Sequence, residues 1–380
     1  MHIGFITPEY PHPSLERSGG LGTSIKNLAS ALVVAGHQAT IFVVNQNHNN
    51  GINDEGVKVI VIKKTVYPFF SWYRQRKFWQ KLIANEVKIH NIDLLEAPDW
   101  TGITAFMTFK TPLIIRLHGS DGYFCYLEKR NQKQTNRLLE KRALLKADTI
   151  VSVSQFTASV TKHVFRLPEK ILYVIPNGIN VDQFKPLDTK IKHNQILYFG
   201  TVVRKKGVLE LAYMFNLLIE KEPKAELLFL GKDNIDVFTK TSTIDLIKNI
   251  LTAEALKKVR FLGEVPYKDV KHYIASAHVV TLPSFAEAFP MTWLESLAME
   301  KALVTSDIGW AKELMVHGET GFTVNPKDHK SYADYIIKII NSPELCERLG
   351  KRGRQIVSNK FSNTKITKKN IEFYKKIIPI

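Results

Sequence analysis

Short apolar runs alternate with longer amphipathic stretches along the chain. In the first half, His2–Thr7, Gln38–Val44, Val57–Lys63, Ile92–Glu96, Leu113–His118, Thr149–Ser154 and Ile171–Ile175 read as strands. In the second half, Gln195–Gly200, Glu226–Leu230, Val259–Gly263, Val279–Leu282 and Leu303–Ser306 do. These runs are rich in Val, Ile and Leu without clean polar alternation, the pattern of parallel strands covered on both faces. Helical periodicity predicts helices over Thr23–Ala35, Thr135–Lys146, Val208–Glu222 and Thr292–Met299. Strand–helix alternation on this scale predicts an α/β architecture with right-handed crossovers.

Turn residues cluster from Pro176-Asn177-Gly178 to Pro186, ahead of the polar stretch Lys190–Gln195. The 380 residues therefore read as two doubly wound, Rossmann-like domains, 1–180 and 181–360, facing each other across a cleft. Ligands of open α/β sheets bind outside the carboxyl ends of the strands, so chemistry is sought just after them.

Four segments qualify. Ser18-Gly19-Gly20-Leu21-Gly22-Thr23 is a glycine-rich loop ahead of a helix, which suits both a bare turn and a phosphate cradle. It is not a dinucleotide fingerprint: the third glycine would fall at Ile25, and Asn45 stands where a ribose-binding acid is expected. Arg116-Leu117-His118 ends an apolar strand; its histidine suits a sugar hydroxyl, but taken alone a satisfied strand-end histidine is the favoured reading. In Phe199-Gly200-Thr201-Val202-Val203-Arg204-Lys205-Lys206-Gly207, three cations precede a helix, a combination that favours a diphosphate over a solvated loop. After Leu282-Pro283-Ser284 come Glu287, ahead of a helix, and Glu295, about two turns into it. Carboxylates there can accept hydrogen bonds from the hydroxyls of a nucleotide sugar.

With these residues in view, the chain resembles the retaining glycosyltransferases of family 4, the glycosyl transferases group 1, which have the GT-B fold. The resemblance covers nearly the whole length. It is carried by Gly19-Gly20-Leu21-Gly22, Ile175-Pro176-Asn177-Gly178-Ile179, Lys206-Gly207, Phe261-Leu262-Gly263, Glu287 with Glu295, the run Gly309 to Glu313, and Gly318-Glu319-Thr320-Gly321-Phe322. It implies transfer of a hexose from a UDP- or GDP-sugar to an acceptor hydroxyl, with the anomeric configuration kept, in polysaccharide or glycolipid synthesis. By that resemblance, His118 and Glu287 are catalytic, and Glu287 and Phe289 hold the donor sugar. Gly20, Gly22, Arg204, Lys206, Met291 and Thr292 bind the diphosphate, while Glu295, Val265 and Pro266 take the ribose and base. It also implies that residues 361–380 form a helix crossing back to the first domain. Two positions depart from the family: Thr201 replaces a common arginine, and Pro290 a common glycine, removing one backbone donor. No Asp-x-Asp occurs, so neither a metal nor any other cofactor is expected.

Composition narrows the alternatives. An apolar fraction of 44% with 23% charged residues excludes wholesale disorder, collagen and coiled coil. Two cysteines, Cys125 and Cys346, exclude a disulfide framework and a four-cysteine zinc site. The start has no basic leader and no apolar stretch reaches the ~18 residues of a membrane helix, so a cytoplasmic protein is expected.

The formal net charge of +17 calls for an anionic partner. Most of it lies in two segments: Ile62–His90 has seven Lys/Arg and one acid, Lys351–Ile380 nine and one. On a helical wheel, Arg74, Lys77, Lys81 and Lys88 form one stripe opposite Trp72, Trp79, Leu82, Ile83 and Val87, with Arg76 on the apolar side. This fits peripheral docking on an anionic inner membrane face, and equally an ordinary helix on its own sheet. A nucleic-acid-binding protein lacks any supporting motif, so no nucleic acid is expected. A GT-B-type nucleotide-sugar epimerase or a non-catalytic sugar-nucleotide sensor is the alternative to transfer.

Overall fold

The computed structural model describes residues 1–16, 18–168 and 172–378. The chain divides into two compact units, Met1–Gly178 with Ser362–Ile380, and Ile179–Phe361.

The first unit is built on an eight-stranded sheet of order β3-β4-β2-β1-β5-β6-β7-β8. Its strands are β1 (His2–Thr7), β2 (Gln38–Gln46), β3 (Asn50–Asp54), β4 (Val57–Lys63), β5 (Leu94–Pro98), β6 (Leu113–Leu117), β7 (Thr149–Ser152) and β8 (Leu172–Val174). Every pairing is parallel except β3 with β4. The period-2 alternation of strands splits the core in two. Ile3, Phe5, Ile41 and Val43 face one layer, which includes Ile25 and Leu32 of the helix Gly20–Val34 and Ile366, Phe373 and Tyr374 of the helix Asn363–Ile377. Ile6, Phe42 and Val44 face the other, with Trp79 and Ile83 of the helix Ser71–His90.

The second unit holds a six-stranded, wholly parallel sheet of order β11-β10-β9-β12-β13-β14. Its strands are β9 (Lys192–Phe199), β10 (Glu226–Leu230), β11 (Val259–Phe261), β12 (Ala277–Leu282), β13 (Leu303–Ser306) and β14 (Phe322–Val324). The helices Val208–Lys221 and His329–Ile340 pack together, as do Met291–Ala298 and Pro343–Lys360.

The α/β class and parallel sheets match the expectation, with four local differences. The hairpin strand β3 was not expected, because Asn50-Gly51-Ile52-Asn53-Asp54 is polar; it pairs through a turn with both Glu55 and Gly56 at positive φ. The three-residue β14 gave too short a signal. The expected strand Ile171–Ile175 opens on Ile171, outside the described residues. The first predicted helix begins at Gly20 instead of Thr23, so the glycines form its first turn and not a loop before it.

Candidate active site

In each sheet the strand order reverses at one place, and an open α/β sheet has its binding crevice at such a point. In the second unit this is between β9 and β12, and the sequence-predicted residues gather at the ends of these two strands. Phe199 ends β9; Gly200 follows at φ 125° and Arg204–Lys206 form a single 3₁₀ turn. The Tyr198 hydroxyl donates to the Thr201 carbonyl at 2.8 Å, tying the loop to the strand. Gly207 closes the turn at φ 72°, where a Cβ would stand 2.0 Å from the Pro283 carbonyl oxygen, so only glycine fits. The Phe285 N–H donates to the Lys205 carbonyl at 2.8 Å, which joins the loop after β12 to the loop after β9.

This joining brings Lys206 and Glu287, 81 positions apart, into an ion pair, with the Ser284 hydroxyl donating to the same Glu287 oxygen at 2.9 Å. Eight positions on, Glu295 is buried inside the helix Met291–Ala298 and accepts a 2.6 Å hydrogen bond from the Tyr267 hydroxyl. Burial raises its pKa from 4.5 to about 7 against the lowering effects of Tyr267 and of the Lys206 charge. Val265 and Pro266 directly precede Tyr267, so the segment expected at a nucleoside is the one that reaches Glu295. Met291 and Thr292 open their helix, whose first N–H groups have no intrahelical partner. A Cβ on Gly200 would lie 3.9 Å from Thr292 Cγ2, so that helix end adjoins the β9 loop.

Two expected residues have a different setting. Arg204 is committed to Asp236 through paired bonds of 2.7 and 3.0 Å, and this fully buried carboxylate is held well below its usual pKa by the guanidinium. Arg204 thus anchors its loop and offers less charge than its sequence position suggests. Phe289 is buried, its ring 5.5 Å from that of Phe361.

In the first unit the reversal falls between β1 and β5. The helix Gly20–Val34 starts in the chain that follows β1. The N–H groups of Gly19 and Gly22 already donate to Glu9 Oε1, at 3.0 and 2.8 Å, and burial raises the Glu9 pKa. An internal carboxylate therefore sits where the sequence suggested phosphate. Gly20 has open space at its Cβ position. His118 is the first residue after β6, and its N–H donates to Asp99 Oδ1 at 2.9 Å. Burial, helped by the Arg116 charge, pushes the imidazole pKa down to about 3, so His118 is neutral at pH 7. It lines a cavity of about 20 Å³ with Ser24, Asn177, Arg116 and Asn370.

Arg116 is held by Glu96 at 2.6 and 2.9 Å and by Asn370 at 2.6 Å, while the Tyr374 hydroxyl donates to Glu96 at 2.7 Å. The C-terminal helix thereby braces the strand that carries His118. Asp99 and Glu140 are also buried, with pKa values raised by burial to about 8 and about 7. Glu140 accepts from the N–H groups of Thr101, Asp121 and Gly122 and fixes the loops around His118. Sequence reasoning missed Glu9, Asp99, Glu140, Asp236 and Tyr267. Asp99 was findable, because it directly follows the apolar run of β5. No group of three or more potential ligand residues suited to a metal ion occurs among the described residues.

Fold and site together define a sugar-transferring enzyme of two Rossmann-like units. Residues 18–183 match the model of Glycosyltransferase Family 4, and residues 181–356 that of Glycosyl transferases group 1. The chain belongs to this glycosyltransferase family and has the GT-B fold. An uncharacterized glycosyltransferase of Methanocaldococcus jannaschii is 24% identical over 99% of this chain and 98% of its own. The capsular polysaccharide biosynthesis glycosyltransferase CapM of Staphylococcus aureus is 28% identical over 60% of this chain and 61% of its own. Anabaena HepE, solved in complex with UDP-glucose, superposes with a TM-score of 0.75 at 19% identity, covering 99% of this chain and 100% of its own.

Proposed function

We propose that this glycosyltransferase moves a hexose from a UDP- or GDP-sugar to an acceptor hydroxyl with retention of configuration. The observation that carries the reading is the Lys206–Glu287 pair at the strand-order reversal, with Glu295 two helical turns beyond. HepE, with its bound UDP-glucose, supports a nucleotide-sugar donor, and CapM supports a polysaccharide product.

In this reading the arriving diphosphate draws the Lys206 ammonium from Glu287, and the N–H groups of Met291 and Thr292 add further positive potential. Glu287, relieved of its cation, accepts hydroxyls of the donor sugar, and Phe289, two residues on, packs beside that sugar. Glu295, ionised, takes the ribose hydroxyls, with Val265 and Pro266 beside the base. Charge grows on the diphosphate as the glycosidic bond breaks, so these donors stabilise the transition state more than the ground state. Arg204, braced by Asp236, fixes the turn that presents Lys206. In the first unit, neutral His118 can hydrogen-bond a sugar hydroxyl, while the Gly22 N–H stays with Glu9. Lys206 and the helix end supply the positive charge, so transfer proceeds without a metal ion. The acceptor is carbohydrate or lipid-linked, and the basic stripe of Arg74, Lys77, Lys81 and Lys88 brings the enzyme to the inner membrane face.

A thermal-shift screen against UDP- and GDP-sugars tests the donor. At a hundred times its dissociation constant, the true donor stabilises by about 2.7 kcal/mol. No shift with either nucleotide class would contradict the reading.

A further inference from the structure

The loop after β9 offers a diphosphate less charge than its run of cations promises. Arg204 is paired with Asp236, and Lys206 with Glu287. These two ion pairs sum to no net charge, whereas the diphosphate of a nucleotide sugar is ionised at both phosphates. Thr201, at the position where an arginine is common in the family, is uncharged. A site of this composition calls for a further cation, because hydrogen bonds from a charged donor to phosphate are the strong ones.

Sheet order brings one to the right place. β10 lies between β9, which runs into the diphosphate loop, and β11, which runs toward Val265 and Pro266. The loop after β10 is hydrogen-bonded to both neighbours. The Gly231 N–H donates to the Gly263 carbonyl at 2.8 Å, and the Val202 N–H donates to the Lys232 carbonyl at 2.8 Å. Gly231, at φ 150°, permits this approach, since a Cβ there would stand 2.0 Å from the Gly200 carbonyl oxygen. Register then sets the side chains. Val202 and Asp233 form a parallel bridge, and Val202 is fully buried. Successive residues of a strand face opposite sides. Thr201 and Lys232, one position before each bridge partner, therefore lie side by side on the opposite face, and both are exposed. Bridged strands stand about 5 Å apart, so the lysine can hold its ammonium in the space that a long side chain at Thr201 would reach. Asp233, the adjoining acid, is occupied by the Ser242 hydroxyl at 2.6 Å and the Ile244 N–H at 3.1 Å. Lys232 forms no ion pair among the described residues.

We propose that Lys232 is a diphosphate-binding residue of the donor site, delivering from the end of β10 the cation that Arg204 does not. The inference rests on the nucleotide-sugar reading given above. Its place between the base segment and the diphosphate loop assigns it to the phosphate attached to the nucleoside. A compact ammonium on a flexible stem suits that contact, which needs charge more than a fixed fork of donors. There it shares with Lys206 the charge that grows on the diphosphate as the glycosidic bond breaks.

The test is calorimetric titration of UDP and of GDP into the full chain, its Lys232→Gln variant and a control, Lys240→Gln, whose exposed ammonium donates to the Val237 carbonyl on the same loop at 2.8 Å. For whichever nucleotide wild type binds, Lys232→Gln is expected to weaken affinity about 10- to 100-fold, the range of one hydrogen bond to a charged group. Its urea midpoint should stay unchanged, because the side chain is exposed. Lys240→Gln should bind like wild type. Adding Thr201→Arg to Lys232→Gln should restore most of the lost affinity, since the two positions are neighbours in register. Wild-type affinity in Lys232→Gln, an equal loss in Lys240→Gln, or no rescue by Thr201→Arg would overturn the proposal and leave the donor reading standing. A wild-type protein that binds neither nucleotide would overturn both, so the two failures are told apart.

Discussion

Replacing Glu295 by Gln separates what this carboxylate does for the fold from what it does for a donor. The side chain is 3% exposed and accepts a hydrogen bond from Tyr267, which a glutamine carbonyl can also accept. Its pKa is raised in the folded protein, from 4.5 to about 7. A raised carboxyl pKa means that the folded state holds the proton more tightly than the unfolded chain does. The stabilising contribution is complete below pH 4.5 and is lost as pH rises through about 7. A carboxyl moved from 4.5 to about 7 corresponds to about 3 kcal/mol of stability lost by pH 8. Glu295→Gln removes that dependence. At pH 8 it should be more stable than wild type by up to about 3 kcal/mol, or about 6–12 °C in Tm for a unit of this size. Near pH 4 the gain should vanish. The same substitution removes a charged acceptor for ribose, which costs about 1.5–3 kcal/mol and raises the donor KM about 10- to 100-fold. Thermal melts from pH 4 to 8, with donor titrations at pH 8, read both. A stability difference that is flat with pH, or a variant with wild-type donor KM, would refute the reasoning.

Three further outcomes follow from the geometry. Gly207→Ala forces a Cβ against the Pro283 carbonyl at positive φ and should cost more than about 1 kcal/mol; an unchanged urea midpoint would show that the turn is not so constrained. Tyr374→Phe removes the 2.7 Å bond to Glu96 and should destabilise by about 2 kcal/mol in urea unfolding; no change would mean that this bond adds nothing to the hold that Asn370 and apolar packing give the C-terminal helix. Glu9→Gln keeps an acceptor for the Gly19 and Gly22 amides but removes a carboxylate whose pKa burial raises, so its stability relative to wild type should be greater at pH 8 than at pH 4; a difference that is flat with pH would contradict this.

The legible parts of this protein were those written in local pattern. Uniform Val/Ile/Leu runs announced buried parallel strands, and Glu287, Glu295 and Lys206 stood at strand ends where the sheet topology later placed them together. What escaped has physical causes. β3 is polar and gains its strand conformation from its partner β4. The start of the helix at Gly20 depends on Glu9, eleven positions earlier, capping the first turn from outside it. The Asp236 carboxylate that claims Arg204 lies 32 positions away, and the Tyr267 that meets Glu295 lies 28 positions before it. Such long-range partners leave no periodic signal. The exposed Trp72 shows the reverse limit: a helical wheel puts it on the apolar side, yet the buried face of that helix is only Gln75, Arg76, Trp79 and Ile83, and Trp72 packs on Phe106 instead.

The account turns on Lys206 and its neighbours gripping a diphosphate. A crystal structure of the protein with UDP-glucose, and one with GDP-mannose, tests this most directly. The account predicts that in at least one of them the diphosphate contacts Lys206 Nζ and the N–H groups of Met291 and Thr292, with the ribose on Glu295. Phosphates bound away from the loops after β9 and β12, or no bound nucleotide in either crystal, would contradict it.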